Sequence, residues 1–277
     1  GLIHGSMLAL MAFGIMIPFR ILNCPDLSAE GAYPFSACIC ALSLKFSIAP
    51  HLSIFIAMFA GGLLSLCVSE VSLRLKIPAL LSGVIISTMA YSINLRILGK
   101  SNIALFHIKT MTINLYVLLP IVLLCLIALG TFLHTDYGLR LQAVGKNKQF
   151  ARNHNISTTR YSNLGLFMAG CLYGLTGGLM VHTQQYVDIA MGVGIAIHAL
   201  AGLMIGEYMI GTDKTATKIT APIIGALVYQ QIQGVVLSLG LAPSDLKLFT
   251  AAIVLLILSI PKSTPSVVKK PNPFFNE

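Results

Sequence analysis

The sequence predicts an all-α membrane protein that crosses the bilayer with eight or nine helices, of which the second is short or broken. Three observations support this fold class. Of the 277 residues, 56% are hydrophobic and only 10% are charged, whereas a soluble domain has about 25% charged residues. The mean hydropathy is +0.85. The apolar residues form continuous runs, many of them near the length of about 20 residues that a membrane helix needs, without the alternation of a membrane β-barrel.

Nine apolar segments define the predicted crossings. The second of them is short for a crossing and contains a proline, and apolar runs of 10–14 residues are often re-entrant or broken helices. We assign residues 1–261 to one transmembrane domain and residues 262–277 to a cytoplasmic tail. The nine segments are approximately 2–19, 31–44, 53–73, 78–97, 113–133, 162–181, 190–210, 219–239 and 246–261.

The distribution of basic residues predicts the orientation, because cytoplasmic loops of membrane proteins are enriched in Lys and Arg. If the polar interval 134–161 is cytoplasmic and all nine segments cross, thirteen basic residues lie inside and five lie outside. Topology therefore explains the net charge of +9 better than binding to nucleic acid does. The N-terminus is then outside, and it changes side if segment 31–44 does not cross.

No pattern in the sequence indicates a catalytic centre or a metal site. The seven histidines have no metal-binding spacing, and the six cysteines lie mostly in apolar runs, as small buried side chains do. There is no P-loop and no nucleophilic serine motif, so we expect that this chain is not an enzyme and binds no cofactor itself. Mid-helix pairs of acidic residues, which proton- or sodium-coupled transporters commonly contain, are also missing.

A polar stretch, NCPDLSAEGAYP, precedes the second apolar segment and has a proline near either end. Asp26 or Ser28 can cap a new helix, and Glu30 then falls in its first turn, where the helix dipole favours an acid. Two interpretations stay open. The stretch can be a broken helix that lines a cavity at membrane depth, or a loop with a good helix cap between two ordinary helices.

Polar residues in the second half of the chain are further candidates for a solute path. Gln184 and Gln185 lie in VHTQQYVDIAMGVG, which is outside in the predicted topology and can meet a solute or a partner, or can be a solvated turn. His198 and Gln230 lie within apolar helices. Each can face an interior path, and each can equally be a polar contact between packed helices.

A basic segment, DYGLRLQAVGKNKQFARNHNIS, stands out in a chain with so few charges. We expect a short helix over residues 142–153, with Gly145 breaking its start. Three explanations fit such a cytoplasmic segment: topology alone, binding to anionic lipid, or docking of a short amphipathic helix into a groove of a partner. Its basic residues are Arg140, Lys146, Lys148 and Arg152, with Arg160 close behind.

Three motifs in a fixed order resemble one family of transport proteins. Residues Asp136, Tyr137, Gly138, Arg140, Ala143, Gly145, Asn147, Ala151, Arg152, Asn155 and Ile156 form a pattern similar to the coupling loop of permease subunits of bacterial ABC importers. The relevant family includes the branched-chain amino-acid and ribose permeases. Residues 25–31 are similar to its D-L-S-x-G motif, and 174–207 to its Gly-rich segment ending in I-G-E. The stretch FRILNCPDLSAEGAYPFSA is most similar to permeases of the predicted tryptophan/tyrosine-type importers.

The resemblance implies a mechanism and a set of partners. Two permease copies, expected to be identical, form a path in the bacterial inner membrane, a separate P-loop ATPase with its ATP and Mg docks on each coupling loop, and an extracytoplasmic binding protein delivers a solute. We expect an amino acid, and the resemblance to the tryptophan/tyrosine-type permeases implies an aromatic one. The alternative is a secondary transporter or channel that works without an ATPase. The implied coupling residues are Asp136, Gly138, Arg140, Ala143, Gly145, Asn147, Ala151, Arg152 and Ile156, and the candidate path residues are Asp26, Ser28, Glu30, Gln184, Gln185, His198 and Gln230.

Overall fold

The computed structural model describes residues 1–108, 110–211, 215–238 and 252, and it confirms the all-α membrane fold. Two three-residue strands, β1 (Asn102–Ala104) and β2 (Tyr186–Asp188), pair antiparallel. The helices of the described chain are α1 (Leu2–Met16), α2 (Ala29–Lys45), α3 (Pro50–Leu75), α4 (Ala79–Leu98), α5 (Leu115–His134), α6 (Asp136–Lys146), α7 (Lys148–Asn153), α8 (Thr158–Gln184), α9 (Ile195–Ile210) and α10 (Thr215–Ser238).

Seven helical stretches of the described chain are long and apolar enough to span a membrane. Helix α2 is shorter, with 17 residues, and contains Pro34, as the prediction of a short or broken second helix requires. The count of eight in this part of the chain agrees with the predicted eight or nine. The ninth predicted segment, 246–261, and the tail 262–277 lie outside the described residues.

After Met16, the last α-helical residue of α1, the chain continues as a π-helical turn, Ile17–Ile21. Pro18 lies in this turn and has no backbone N–H to give to a regular helix. The wider turn is closed by a hydrogen bond of 2.9 Å from Leu22 N to the Ile17 carbonyl. As a result, Arg20 points at the end of α9 and the chain turns back into the bundle.

Residues 22–28 return the chain into the bundle without regular structure, and α2 then starts inside it. Ser28 Oγ lies 3.3 Å from Ser65 Oγ, which is ten residues, or about 15 Å, before the end of α3. At its other end α2 reaches the far end of α8, where Cys40 Sγ lies 3.8 Å from His182 Nε2. The stretch is therefore a broken-helix segment buried in protein, and α2 runs from it to the far end of α8.

The two ends of the bundle differ in what they carry. We call the end with α6, α7 and the last turns of α1 and α9 the basic face, and the other end the opposite face. The pair Arg20–Glu207 lies at the basic face, whereas Gly1 packs against Gln231, near the other end of α10. The N-terminus is therefore at the opposite face, together with β1 and β2.

Close packing of α3 with α8 and of α9 with α10 holds the bundle together. Small residues make this packing possible. A Cβ on Gly170 would lie 2.4 Å from the Gly61 carbonyl oxygen, and one on Gly206 would lie 1.8 Å from that of Ala221. In lipid, where helices gain little by leaving their solvent, such backbone approach is a main source of association.

Candidate functional site

The basic segment forms two short helices, α6 and α7, each with its own N-cap. Thr135 Oγ1 accepts a hydrogen bond from Gly138 N (3.3 Å), and Asn147 Oδ1 accepts one from Phe150 N (3.0 Å). The break lies at Asn147, whose backbone is extended (φ −156°, ψ 105°). The prediction that Gly145 breaks the helix is therefore wrong, because Gly145 lies inside α6.

Gly145 has a different role, since it brings α6 against the turn that follows α1. A Cβ at this position would lie 1.8 Å from the Ile21 carbonyl oxygen, so only glycine allows this approach. Asn23 Nδ2 donates to the Gly145 carbonyl at 3.0 Å. Around this contact, Leu22, Leu141, Val144, Ala151 and Leu166 form a separate buried apolar cluster.

The outer surface of α6 and α7 combines basic and aromatic side chains. Phe150 is 53% exposed, and its ring packs against His154 with centroids 4.3 Å apart. Arg140, Lys146, Lys148 and Arg152 are exposed around it. A hydrogen bond with Tyr161 raises the pKa of the Arg140 guanidinium above its ordinary value, so this side chain stays cationic. We call this surface the α6–α7 surface.

The predicted coupling residues therefore divide into two groups. Gly138, Ala143, Gly145, Ala151 and Ile156 are buried or partly buried and shape the segment or attach it to the bundle. The others are exposed at its surface, although Asn147 also caps α7. The exposed group consists of Asp136, Arg140, Asn147 and Arg152.

Asp26 and Ser28 lie in the irregular stretch before α2 and are both fully buried. Asp26 accepts hydrogen bonds from Ser28 N (2.9 Å) and from the Ser28 hydroxyl. Helix α4 comes close to this pair because residue 83 is glycine, where a Cβ would lie 2.6 Å from Asp26 Oδ1. The two predicted path residues thus bond to each other and fix the start of α2.

Glu30, by contrast, lines a cavity of about 210 Å³ between the start of α2, helix α4 and the turn before α9. We call it the α2–α4 cavity. Glu30 Oε1 accepts a hydrogen bond from Gly194 N at 3.2 Å. The cavity is lined by Leu27, Glu30, Pro34, Val84, Ser87, Thr88, Tyr91, Asn94, Ile189 and Val193.

His198 and Gln230 line a second cavity of about 140 Å³, on the other side of the Gly194 turn, together with residues of α1 and α8. His198 Nδ1 lies 2.9 Å from the Tyr229 hydroxyl and 3.1 Å from Gln233 Nε2. This second cavity is thus lined by a connected polar group of α9 and α10.

Gln184 and Gln185 line neither of these two cavities. They end α8 at the opposite face, where Gln185 has a left-handed backbone (φ 57°). Its carbonyl accepts from Leu105 N at 2.7 Å and its side chain donates to Thr110 Oγ1 at 3.1 Å. These contacts fix the turn into β2.

Sequence reasoning missed two polar residues of the α2–α4 cavity, Ser87 and Asn94. Both belong to α4, which reads as an ordinary apolar crossing. A signal was nevertheless present, because residues 84, 87, 91 and 94 follow the i, i+3, i+7, i+10 spacing of one helix face. Three of these four side chains are polar or phenolic.

The fold and its buried polar groups define a multi-pass membrane protein with interior cavities, and comparison with known proteins gives its class. Residues 1–259 match the family described as branched-chain amino acid transport system / permease component. The chain belongs to this family, which is one of transport permeases and not of enzymes. It is a permease component of a transport system in the bacterial inner membrane.

Two relatives match over most of their length. A tyrosine transport system permease protein of Clostridioides difficile is 36% identical over 96% of this chain and 94% of its own length. An uncharacterised protein of Rickettsia prowazekii is 30% identical over 90% of this chain and 92% of its own. No solved structure matches the chain.

Proposed function

We propose that this chain is the transmembrane subunit of an ATP-driven, binding-protein-dependent importer of an amino acid, and that its natural solute is aromatic. One observation supports the ATP-driven part most strongly. The α6–α7 surface is exposed, basic and aromatic, and the segment beneath it is packed on the same stretch of chain that leads to the α2–α4 cavity.

The connection between these two regions is short. Ile21 and Asn23 contact Gly145 of α6, Asp26 and Ser28 fix the start of α2, and Glu30 reaches the cavity. Glu30 lies only nine positions after Ile21. A force applied to α6 and α7 therefore acts on one wall of the cavity through covalently linked, packed residues.

The basic face also contains a second link between helices. Arg20 donates two hydrogen bonds to Glu207, from Nε at 2.8 Å and from Nη2 at 2.5 Å. This pair joins the turn after α1 to the last turn of α9. The first turn of α9 borders the second cavity, and the residue two positions before α9, Val193, lines the α2–α4 cavity. An event at the basic face can thus reach the cavities along α9 as well.

The partners follow from the resemblance and from what this chain lacks. It has no nucleotide-binding motif, so ATP and Mg bind to a separate cytoplasmic ATPase on the α6–α7 surface. A solute-binding protein delivers at the opposite face, and a second permease copy completes the path. ATP binding then shifts the equilibrium between two arrangements of the helices.

The choice of solute rests on the relatives and on the charge of the interior. The C. difficile relative is named for tyrosine transport. The α2–α4 cavity has one carboxylate and several polar groups among apolar side chains, which suits a zwitterion better than a strongly charged solute.

The deciding experiment is isolation of the tagged chain with its native partners in mild detergent. We expect a P-loop ATPase in stoichiometric amount. The double variant Phe150→Ala/Arg152→Gln should lower its recovery by about tenfold or more, because aromatic and Arg contacts commonly dominate protein interfaces. Uptake of labelled tyrosine should fall with it.

A matched control exists at the opposite face. Phe46 is 72% exposed and follows the exposed Lys45, so Phe46→Ala/Lys45→Gln removes the same chemistry from the other end of the bundle. This variant should keep the ATPase. If both variants keep it, the α6–α7 surface does not dock the ATPase. A chain that purifies alone and moves tyrosine across vesicles without ATP would favour the secondary transporter.

A further inference from the structure

The α2–α4 cavity contains a fully buried amide whose hydrogen-bonding groups are unused. Asn94 is 0% exposed, and neither its Nδ2 nor its Oδ1 has a hydrogen-bond partner within the described residues. A buried amide without a partner lowers the stability of the folded state, because it has lost its water. Its retention in an apolar helix is explained if a ligand supplies the missing partner.

A second unpaired group lies on the same face of α4. Ser87 Oγ is buried, has no partner in the described part of the chain, and also lines the cavity. The other buried serine of this helix differs, since Ser82 Oγ donates to the Ala79 carbonyl at 2.9 Å. Unpaired polar atoms on α4 are therefore found where the helix borders the cavity.

The start of α2, which faces α4 across the cavity, supplies a carboxylate. Glu30 uses Oε1 for the bond from Gly194 N, and its negative charge favours a cationic group in the cavity. Asp26, the nearest other acid in sequence, does not line the cavity and bonds to Ser28 instead. Glu30 is the one acid, and there is no basic residue, among the ten lining residues.

The remaining wall is apolar or aromatic, with Pro34, Val84, Tyr91, Ile189 and Val193. With about 210 Å³, the cavity is below the roughly 300–1,000 Å³ of typical pockets for drug-sized ligands. A small molecule with one ammonium group, one hydrogen-bonding group and an apolar body fits both the size and the chemistry.

We propose that the α2–α4 cavity is a binding site for an amino acid, with the ammonium group at Glu30, the carboxylate at the Asn94 amide and the Ser87 hydroxyl, and the side chain against Tyr91 and Pro34. The identity of the ligand rests on the proposed function. The existence of a ligand site rests on the unpaired amide and hydroxyl.

The test measures binding to the purified permease, with tyrosine and other amino acids as probes and thermal unfolding as readout. Asn94→Leu should raise the unfolding temperature of the ligand-free protein, because it removes an unpaired buried amide. It should also weaken tyrosine binding about tenfold or more, and Glu30→Gln should do so to a similar extent, as expected for hydrogen bonds to charged groups. Ser87→Ala should weaken binding about threefold to fivefold.

The control is Ser82→Ala, which removes a buried but paired hydroxyl from the same helix and should leave tyrosine binding unchanged. An Asn94→Leu protein that unfolds at lower temperature and binds tyrosine as well as the wild type does would overturn the site, because the amide then has a structural partner. A wild-type permease that no amino-acid probe stabilises would overturn it too.

Failure of the proposed function looks different. If tyrosine stabilises the wild type and Asn94→Leu abolishes that effect, the site stands even when uptake proves to be independent of ATP. If uptake depends on ATP and the three cavity variants bind tyrosine normally, the importer stands and this site does not.

Discussion

The α6–α7 segment and the α2–α4 cavity lie at the two ends of one short stretch of chain, and they differ in how their polar groups are satisfied. In the segment, Thr135 and Asn147 cap the two helices, and Gln142 Nε2 donates to the Leu133 carbonyl at 3.0 Å. In the cavity, the Asn94 amide and the Ser87 hydroxyl have no such partners among the described residues.

This difference indicates two kinds of task. A unit whose hydrogen bonds are complete and whose apolar side chains are buried resists local change, and it moves as a whole when something pulls on it. A cavity with unpaired groups gains free energy when a ligand enters. The proposed ATP-driven importer needs a stiff element at the basic face and an adaptable site inside the bundle.

The largest effect should come from detaching the α6–α7 segment from the turn that follows α1. Gly145→Ala places a Cβ where the Ile21 carbonyl oxygen lies, so α6 must move away and the hydrogen bond from Asn23 is lost. Overpacking of this kind costs about 1–3 kcal/mol. We expect the proposed ATP-driven uptake of tyrosine to fall about tenfold or more, while the proposed binding of tyrosine, measured by thermal shift, persists.

Gly234→Ala serves as the reference substitution for this experiment. Gly234 also lies inside a helix, but a Cβ there would have no heavy atom within 4 Å. Uptake by this variant should match the wild type. If Gly145→Ala transports as well as Gly234→Ala does, the contact with Ile21 does not transmit the signal, and the two regions act independently.

A smaller effect is expected from the second link at the basic face. Arg20→Met leaves Glu207 without its cation, and the Glu207 side chain is only 7% exposed, whereas that of Arg20 is 45% exposed. The expected loss in the free energy of unfolding is about 2 kcal/mol, between the values for buried and for exposed ion pairs.

The double variant Arg20→Met/Glu207→Gln tests whether this loss comes from the pair. It should unfold at a higher temperature than Arg20→Met alone, because no unpaired buried carboxylate remains. The single variants Arg20→Met and Glu207→Gln are measured by thermal unfolding as well. If their losses add up to the loss of the double variant, the prediction is contradicted, because residues that interact give non-additive changes.

The two regions also differ in how far the sequence predicted them. The α6–α7 segment is local, so its charges, its length and its position between two crossings could be read from consecutive residues. The exact break was misplaced, because Gly145 is required by a contact with Ile21, more than a hundred residues away. A glycine needed for packing and a glycine that breaks a helix look the same in sequence.

The cavity could be predicted only in part. For the stretch before α2, the prolines and acids allowed a broken helix as one of two interpretations, and Glu30 does line the cavity. Its other polar wall is formed by Ser87 and Asn94, whose significance depends on which face of α4 meets α2. The packing of the helices decides which face of α4 meets α2. The sequence of an apolar helix in lipid has little periodic pattern from which this face can be predicted. Gln185 illustrates the reverse case, since its polar side chain donates to Thr110 next to the turn into β2.

The smallest effect should come from Asn147, which has two possible roles. As the cap of α7, its side chain accepts from Phe150 N at 3.0 Å, and Asn147→Ala should cost about 1 kcal/mol of local stability. Faster hydrogen exchange of the amides of residues 148–153 would show this loss of local stability.

As an exposed residue of the α6–α7 surface, Asn147 can also contact the proposed ATPase. Asn147→Ser separates the roles, because serine caps a helix nearly as well but has a shorter side chain. If Asn147→Ser restores both the exchange rates and the recovery of the ATPase, capping explains the residue. If Asn147→Ser restores the exchange rates alone, the side-chain amide of Asn147 itself contacts the proposed ATPase. Asn147 then both caps α7 and belongs to the docking surface.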